Sequence, residues 1–165
     1  MVSLRNRHSR LSTIRLKMKI LILGAGKMGT FFCDLLSFKY EVGVYVFNPE
    51  KLRFTFNAQR FMHLEEIREF DPDLVLNAST LKYTMEAFRS VLPYISENCI
   101  LSDIASVKTG LPEFYESCGH PFVSTHPMFG PTFASLSNLR NENAVIIKEG
   151  DEKGKEFFRN IYKSL

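Results

Sequence analysis

The stretch Lys19-Ile-Leu-Ile-Leu-Gly-Ala-Gly-Lys-Met-Gly29 decides the fold. Its first five residues form a short apolar run that glycine ends abruptly, which is typical of a strand buried on both faces of a parallel sheet. From Met28 to Ser37, apolar side chains recur at the spacing of a helix with one buried face. The sequence therefore predicts a strand, a tight glycine turn and a helix in direct succession.

The glycine turn matches the pattern G-x-G-x-x-G, in the strand-to-helix context that makes the pattern meaningful. The first glycine permits a tight turn, the second lets the backbone approach a pyrophosphate, and the third lets the helix pack on the strand. The helix N–H groups can then hold phosphates. The predicted phosphate-binding residues are Gly24, Ala25, Gly26, Lys27, Met28 and Gly29.

The rest of the chain continues this alternation. The further predicted strands are Val42–Val46, Arg60–His63, Leu74–Leu76, Cys99–Asp103, Phe122–Thr125 and Val145–Ile147. The further predicted helices are one beginning at Pro49, one through Glu65–Ile67, and those at Tyr83–Val91, Val107–Tyr115 and Asp151–Leu165. Alternation at this pitch predicts an α/β domain with a doubly wound, mostly parallel sheet of Rossmann type. Ligands of such sheets bind beyond the carboxyl ends of the strands.

An expected acid is missing from the end of the second strand. A carboxylate about 20 residues beyond the glycines usually binds the adenosine ribose of NAD. The sequence has Val46 there, followed by Phe47 and Asn48. Asn48 could serve the ribose hydroxyls of NAD, whereas Lys51 or Arg53 could pair with the 2′-phosphate of NADP. We predict NAD as the cofactor with Asn48 as a contact, and leave NADP and weak discrimination open.

Candidate cofactor contacts also follow two other strands. Ala78 and Ser79 come after the strand at Leu74–Leu76, and Asp103 ends the strand that begins at Cys99. All three positions stand at the carboxyl end of a predicted strand, which is where ligands of such sheets bind. We predict that Ala78, Ser79 and Asp103 contribute to the dinucleotide site.

Two loops at the same edge carry candidate catalytic groups. They are Asp103-Ile-Ala-Ser-Val-Lys108 and Ser124-Thr-His-Pro-Met-Phe-Gly-Pro131. His126 stands at the carboxyl end of its strand, whereas His120 lies at the other end, roughly 20 Å away at ~3.3 Å per residue. His126 is therefore the histidine we assign to the chemistry.

These loops resemble the pair of motifs that mark prephenate dehydrogenases, and Gly24–Gly29 occupies that family's cofactor position. The resemblance covers residues 18–165. Pyrroline-carboxylate reductases and β-hydroxyacid dehydrogenases share a G-x-G-x-M-G opening but do not carry the H-P-M-F-G-P loop. The resemblance implies an oxidoreductase that converts prephenate to 4-hydroxyphenylpyruvate by NAD(P)-dependent oxidative decarboxylation, in tyrosine biosynthesis. Arogenate as substrate and a non-catalytic dinucleotide-binding module are the alternatives.

The resemblance also implies roles for two residues. His126 is the catalytic histidine, and a neutral imidazole is suited to receive the proton of a substrate hydroxyl. Ser106 lies between nicotinamide and substrate in the family and would orient both. A structural histidine, a plain helix cap at Ser106 and a solvated helix residue at Lys108 are the competing interpretations.

A helical domain follows the nucleotide domain in this family, where it forms the dimer and supplies basic groups for the substrate carboxylates. The present sequence ends at Leu165, and Arg140 is the one arginine in an obvious loop after His126. We therefore expect the helical dimerisation domain to be absent from this chain and the full-length enzyme to be a homodimer. For residues 1–165 alone we expect nucleotide binding with little turnover, and a monomer is an open alternative.

Composition and charge exclude several classes of protein. The 165 residues suffice for one compact domain, and 45% hydrophobic with 24% charged residues is typical of a globular protein. The first 19 residues contain six basic residues and no acid, and removing these six from the formal charge of +3 leaves −3, so a nucleic-acid partner is not indicated. The six are Arg5, Arg7, Arg10, Arg15, Lys17 and Lys19.

Residues 1–17 are a basic leader that we expect to be disordered. An upstream start before Met18 and a targeting peptide are the alternatives. No apolar run reaches the ~18–20 residues of a membrane span, so no membrane partner is expected. The three cysteines have no C-x-x-C spacing, which argues against a disulfide framework or a metal site and favours a reducing compartment, the cytoplasm.

Overall fold

The computed structural model describes residues 17–55, 57–130, 139 and 142–165, without the side chains of residues 51, 53 and 54. Within these ranges the chain forms seven strands and five α-helices. The strands are β1 (Lys19–Leu23), β2 (Glu41–Tyr45), β3 (Gln59–Phe61), β4 (Leu74–Asn77), β5 (Ile100–Asp103), β6 (Phe122–Pro127) and β7 (Ala144–Gly150). The helices are α1 (Lys27–Ser37), α2 (Leu64–Phe70), α3 (Thr84–Val91), α4 (Leu111–Cys118) and α5 (Glu152–Lys163). Short 3-10 helices span Pro49–Phe54, Leu81–Tyr83 and Leu92–Tyr94.

Several sequence-based predictions fall on parts of the chain outside these ranges. They are the basic leader apart from Lys17, the side chains of Lys51 and Arg53, and Arg140. Of the helices in the described part, none combines the length and the apolar character needed to cross a membrane.

The strands form one sheet in the order β3-β2-β1-β4-β5-β6-β7. Neighbouring strands are parallel except β6 and β7, which are antiparallel. Because β1 lies between β2 and β4, the strand order reverses there, and such a reversal opens a crevice beyond the carboxyl ends of the strands. The predicted doubly wound, mostly parallel sheet is confirmed.

Apolar side chains cover both faces of the sheet. On one face, α1 and α5 pack through residues such as Phe32 and Phe158. On the other face, α3 and α4 contribute Phe88 and Phe114. The side chains of β1 alternate between the two clusters, which explains the unbroken apolar run at the start of the deciding stretch.

Two helix ends are fixed by residues that flank the helix. Asp71, directly before Pro72, has a left-handed backbone with φ 51° and ends α2. Asp151 is the N-cap directly before α5, and its carboxylate accepts a hydrogen bond of 2.9 Å from the N–H of Gly154. A side-chain acceptor of this kind satisfies one of the free N–H groups of the first helical turn.

The helix after β5 begins later than the sequence predicts. The predicted range was Val107–Tyr115, whereas α4 runs from Leu111 to Cys118. Gly110 precedes it with φ 78°, a left-handed conformation that interrupts any helix arriving from the N-terminal side. The predicted start at Val107 is therefore wrong, and Ser106 does not cap this helix.

Strand β6 extends beyond its predicted end at Thr125. It continues through Pro127, because His126 pairs with Val145 and Pro127 with Ala144 across the antiparallel neighbour β7. His126 is thus part of a strand rather than of the following loop. The local hydrophobic pattern does not show this pairing, since the partners are far apart in sequence.

Candidate functional site

A pocket of about 520 Å³ lies at the carboxyl ends of β1, β2 and β4. The loops after these strands form its wall together with α3. Six predicted cofactor contacts line it: Gly24, Ala25, Gly26, Asn48, Ala78 and Ser79. Three more, Lys27, Met28 and Gly29, form the first turn of α1 directly after the glycine turn.

The glycine turn is held between its two neighbouring strands. The N–H of Gly24 donates to the carbonyl of Tyr45 at 3.0 Å, and the N–H of Ala78 donates to the carbonyl of Leu23 at 2.8 Å. Gly24 has φ 99°, and a Cβ there would lie 3.0 Å from the backbone of Ala78. Both the conformation and the close approach therefore require glycine at this position.

Gly26 and Gly29 have different surroundings. A Cβ on Gly29 would overlap the carbonyl oxygen of Gly24, so this glycine serves the packing of α1 on the turn. A Cβ on Gly26 would meet no atom within 4 Å, which leaves open space beside the start of α1. No side chain caps α1 and no acid stands in its first turn, so its N–H groups and dipole favour an anion. This cradle fits a pyrophosphate.

The end of β2 supplies no carboxylate to the pocket. Val46 is 8% exposed and belongs to the core, and Phe47 follows it with more than half of its surface exposed. The side-chain oxygen of Asn48 accepts a hydrogen bond of 3.1 Å from the N–H of Glu50 and so caps the 3-10 helix. Of the described residues that line the pocket, only Glu86 on α3 carries a carboxylate.

The wall formed by α3 was not predicted from the sequence. Tyr83, Glu86 and Ser90 line the pocket from this helix and the residue before it. Burial raises the pKa of Tyr45 at the opposite strand end, with a smaller contribution from the charge of Glu65, so its phenol stays protonated at neutral pH. The role of α3 follows from the topology. The helix comes directly after β4, and β4 lies next to β1, where the strand order reverses.

A buried amide holds the loop after β4. The side-chain oxygen of Asn77 accepts hydrogen bonds from the N–H of Ser79 at 3.1 Å and from its hydroxyl at 2.6 Å. The amide nitrogen donates to the carbonyl of Thr84 at 2.8 Å. Asn77 therefore fixes both the loop against the glycine turn and the start of α3. A polar residue at the end of an otherwise apolar strand is the sequence signal for this role.

Asp103 ends β5 with a fully buried carboxylate. One oxygen accepts from the N–H of Ala105 at 3.0 Å and from the ammonium of Lys108, and the other accepts from the hydroxyl of Tyr115 at 2.8 Å. Burial, and then the neighbouring Asp103 charge, raises the pKa of Tyr115, so this phenol remains a donor. Both oxygens of the Asp103 carboxylate thus form hydrogen bonds within the protein. A contact between Asp103 and a cofactor stays a prediction.

The two candidate catalytic residues lie on segments that contact each other. Ser106 is exposed in the stretch between β5 and α4, and His126 is half-buried near the end of β6. Lys108 joins these segments, because its ammonium donates a hydrogen bond of 2.7 Å to the carbonyl of Thr125. Lys108 is therefore neither helical nor simply solvated, which corrects that interpretation. The catalytic roles of Ser106 and His126 stay predictions.

The parallel sheet, the glycine cradle and the pocket at the strand reversal define a nucleotide-binding domain of Rossmann type. A family model described as prephenate dehydrogenase, nucleotide-binding domain, matches residues 48–165. The chain belongs to this family, and the resemblance inferred from the two loops is confirmed.

The chain is also similar to individual proteins, one in sequence and two in fold. A Methanocaldococcus jannaschii protein named "Probable arogenate/prephenate dehydrogenase" is 36% identical over 98 residues, which cover 56% of this chain and 21% of that protein. Prephenate dehydrogenase from A. aeolicus, solved with hydroxyphenyl propionate and NAD+, has a TM-score of 0.75 at 23% identity over 88% of this chain and 56% of its own. Synechocystis arogenate dehydrogenase has a TM-score of 0.71 at 17% identity, with 89% and 56% covered. The chain thus spans about a fifth of the curated relative and about half of the solved chains.

Proposed function

We propose that this domain binds NAD in the pocket beside the glycine turn. The observation that carries the proposal is the open space at Gly26, next to the uncapped start of α1. The backbone N–H groups of that turn would hold the pyrophosphate, and the loop at Ala78–Ser79 would face the cofactor from the β4 side. The NAD+ in the similar A. aeolicus structure supports the same choice of cofactor.

NADP is the second cofactor candidate. A carboxylate at the end of β2 normally excludes the 2′-phosphate of NADP, and here Asn48 stands at that end instead. Glu86 adds a negative charge to the pocket from the α3 side, which favours NAD. Titration of the 165-residue chain with NAD and with NADP tests the choice, and a strong preference for NADP would contradict it.

We propose oxidative decarboxylation of prephenate as the reaction of the full-length protein that contains this domain. His126 accepts the proton of the ring hydroxyl as the carbon that bears it gives up hydride, and Ser106 orients the substrate. Bound NAD supplies the hydride acceptor. Loss of carbon dioxide then makes the ring aromatic, and His126 returns its proton to the oxygen, which becomes the phenol.

Two alternatives are tied to the same domain. Arogenate, the amino analogue, would pass through the same chemistry, and the names of two similar proteins include it. A nucleotide-binding module without catalysis is the other. We also propose that residues 18–165 form the dinucleotide-binding domain of a homodimer whose helical domain follows in the full-length protein, so the present chain alone would show little turnover.

A histidine substitution tests the reaction. In the full-length protein, His126→Asn should lower kcat by ~10²–10⁴, the usual range for losing a general base, with NAD affinity nearly unchanged. His120→Asn is the matched control, because His120 lies at the far end of β6, where its ring contacts the carbonyl of Cys99. Rates with prephenate and with arogenate decide the substrate. If NAD binds but neither compound is oxidised, the non-catalytic module is the better description.

A further inference from the structure

A buried polar network connects the stretch that carries Ser106 to the strand that carries His126. None of its members lines the pocket beside the glycine turn, and they come from β5, the stretch before α4, β6 and two helices. They are Asp103, Lys108, Tyr115, Thr125 and Tyr162. A buried polar network costs stability if it is only partly satisfied, and each of these five side chains has at least one hydrogen-bond partner inside the protein.

The ammonium of Lys108 is held on two sides. It pairs with the buried carboxylate of Asp103, whose other contacts to Ala105 and Tyr115 are described above. It also donates to the carbonyl of Thr125 at 2.7 Å. The Lys108 side chain is 23% exposed, so most of it lies inside the protein. Its position is therefore set by the fold rather than by solvent.

Thr125 forms two further hydrogen bonds through its side chain. Its hydroxyl donates to the carbonyl of Asp103 at 3.2 Å, which leaves the hydroxyl of Tyr162 on α5 to donate to it at 2.8 Å. Burial raises the pKa of Tyr162, so the phenol stays protonated and able to donate. Thr125 is thus fixed through both its side chain and its carbonyl.

Thr125 and His126 share one peptide group. The carbonyl that Lys108 holds lies in the same plane as the N–H of His126, so fixing that carbonyl fixes the backbone from which the imidazole projects. Catalytic groups must be held close to the productive geometry, and a misplacement of about 1 Å can cost ~100-fold in rate.

We propose that Lys108, anchored by Asp103, is a positioning residue for His126. It orients the histidine through the Thr125 peptide and does not itself bind substrate. The consequence for turnover rests on the proposed function, whereas the structural consequence can be measured in the 165-residue chain alone.

The test variants must avoid leaving a buried charge without its partner, since that alone destabilises a protein strongly. Lys108→Met keeps the aliphatic stem but leaves Asp103 unpaired, so the double variant Lys108→Met with Asp103→Asn is the main test. Lys39→Met is the control, because Lys39 is an exposed lysine in the turn after α1.

The first measurement is NMR on the labelled 165-residue chain. A donor on the Thr125 carbonyl polarises the peptide, so the double variant should shift the His126 amide nitrogen upfield. The couplings between Hα and Hβ of His126 should change from one rotamer to an average of several. Lys39→Met should leave both unchanged. Unchanged His126 signals in the double variant would overturn the proposal.

The second measurement is turnover by the full-length protein. The double variant should lower kcat by about 10- to 100-fold with KM for substrate within about threefold. A rise in KM at unchanged kcat would mean that Lys108 binds substrate directly, and would overturn the positioning role. If the unmodified protein oxidises neither prephenate nor arogenate, the proposed function fails, while the NMR result still decides the proposal for Lys108.

Discussion

The carbonyl oxygen of Gly24 occupies the space that a Cβ on Gly29 would need, so the first turn of α1 rests directly on the glycine turn. Gly26, between these two residues, has no atom within 4 Å of the corresponding position. One glycine of the motif thus serves packing and another serves access to the pocket. A substitution at Gly29 should therefore affect stability, whereas a substitution at Gly26 should affect ligand binding.

Gly29→Ala should lower the melting temperature of the chain by roughly 5 °C or more, because backbone atoms cannot move aside as a flexible side chain does. Gly26→Ala should change it by less than about 2 °C, because Gly26 has φ −76°, which alanine adopts freely. Gly26→Ala should weaken NAD binding at least about tenfold, since the methyl group enters the phosphate space. Thermal denaturation without ligand and calorimetric titration measure the two effects. Unchanged NAD affinity in Gly26→Ala would contradict the placement of the cofactor.

Local sequence patterns predicted the fold correctly where residues adjacent in the sequence determine the backbone conformation. The strand β1, the glycine turn and α1 follow from apolar spacing and from three glycines, all within Lys19–Ser37. The start of α4 could not be predicted in this way, because a left-handed Gly110 and the tertiary contacts of Lys108 keep the preceding stretch out of a helix. The continuation of β6 through His126 likewise depends on its pairing with β7.

The candidate site also contains residues that the sequence predicted and residues whose role depends on tertiary contacts. The sequence placed the glycine turn, Asn48 and the Ala78–Ser79 loop at one edge, since the carboxyl ends of parallel strands meet there. It did not indicate Glu86, which reaches the pocket only because β4 lies next to β1. Nor could it show that the Asp103 carboxylate is enclosed, because three groups from different segments surround it.

Asn48→Asp should increase discrimination against NADP. Aspartate is as good a helix cap as asparagine, so its contact with the N–H of Glu50 should persist and stability should be unchanged. The new carboxylate would repel a 2′-phosphate, and we expect NADP affinity to fall about tenfold or more with NAD affinity within about threefold. Asn57→Asp is the control, because Asn57 is exposed and does not line the pocket. Equal losses for the two nucleotides would show that Asn48 is remote from the 2′ position.

Phe47 and Tyr83 should contribute to NAD affinity through contact with the adenine ring. Both line the pocket although 55% and 45% of their surfaces are exposed, so removing either side chain should cost little stability. Loss of an aromatic contact with a base weakens binding by ~1–3 kcal/mol, or roughly 5- to 150-fold. Phe38→Ala is the control, because Phe38 is 83% exposed and lies outside the pocket. Wild-type NAD affinity in both Phe47→Ala and Tyr83→Ala would exclude adenine from this part of the pocket.

The stability of the domain should fall as the pH rises above about 9 under reducing conditions. Burial is the main cause that raises the pKa of Cys33 to about 11 and that of Cys99 to about 12, from an ordinary value of 9.0. Below pH 9 both thiols are neutral in the folded and the unfolded chain, so they add no pH dependence. Above it the unfolded chain ionises first, and each thiol removes up to about 1.4 kcal/mol of unfolding free energy per pH unit until its folded pKa is reached.

Denaturant unfolding at pH 8, 9, 10 and 11 measures this slope. Tyr115 and Tyr162, whose pKa values are raised mainly by burial, should steepen the decline above pH 10, where phenols of the unfolded chain ionise. Replacing Cys33 and Cys99 together by alanine should lower stability at pH 8, because a cavity remains, but should flatten the slope between pH 9 and 10. The slope is therefore the informative quantity. An equally steep decline in the double variant would assign the alkaline instability to groups other than these thiols.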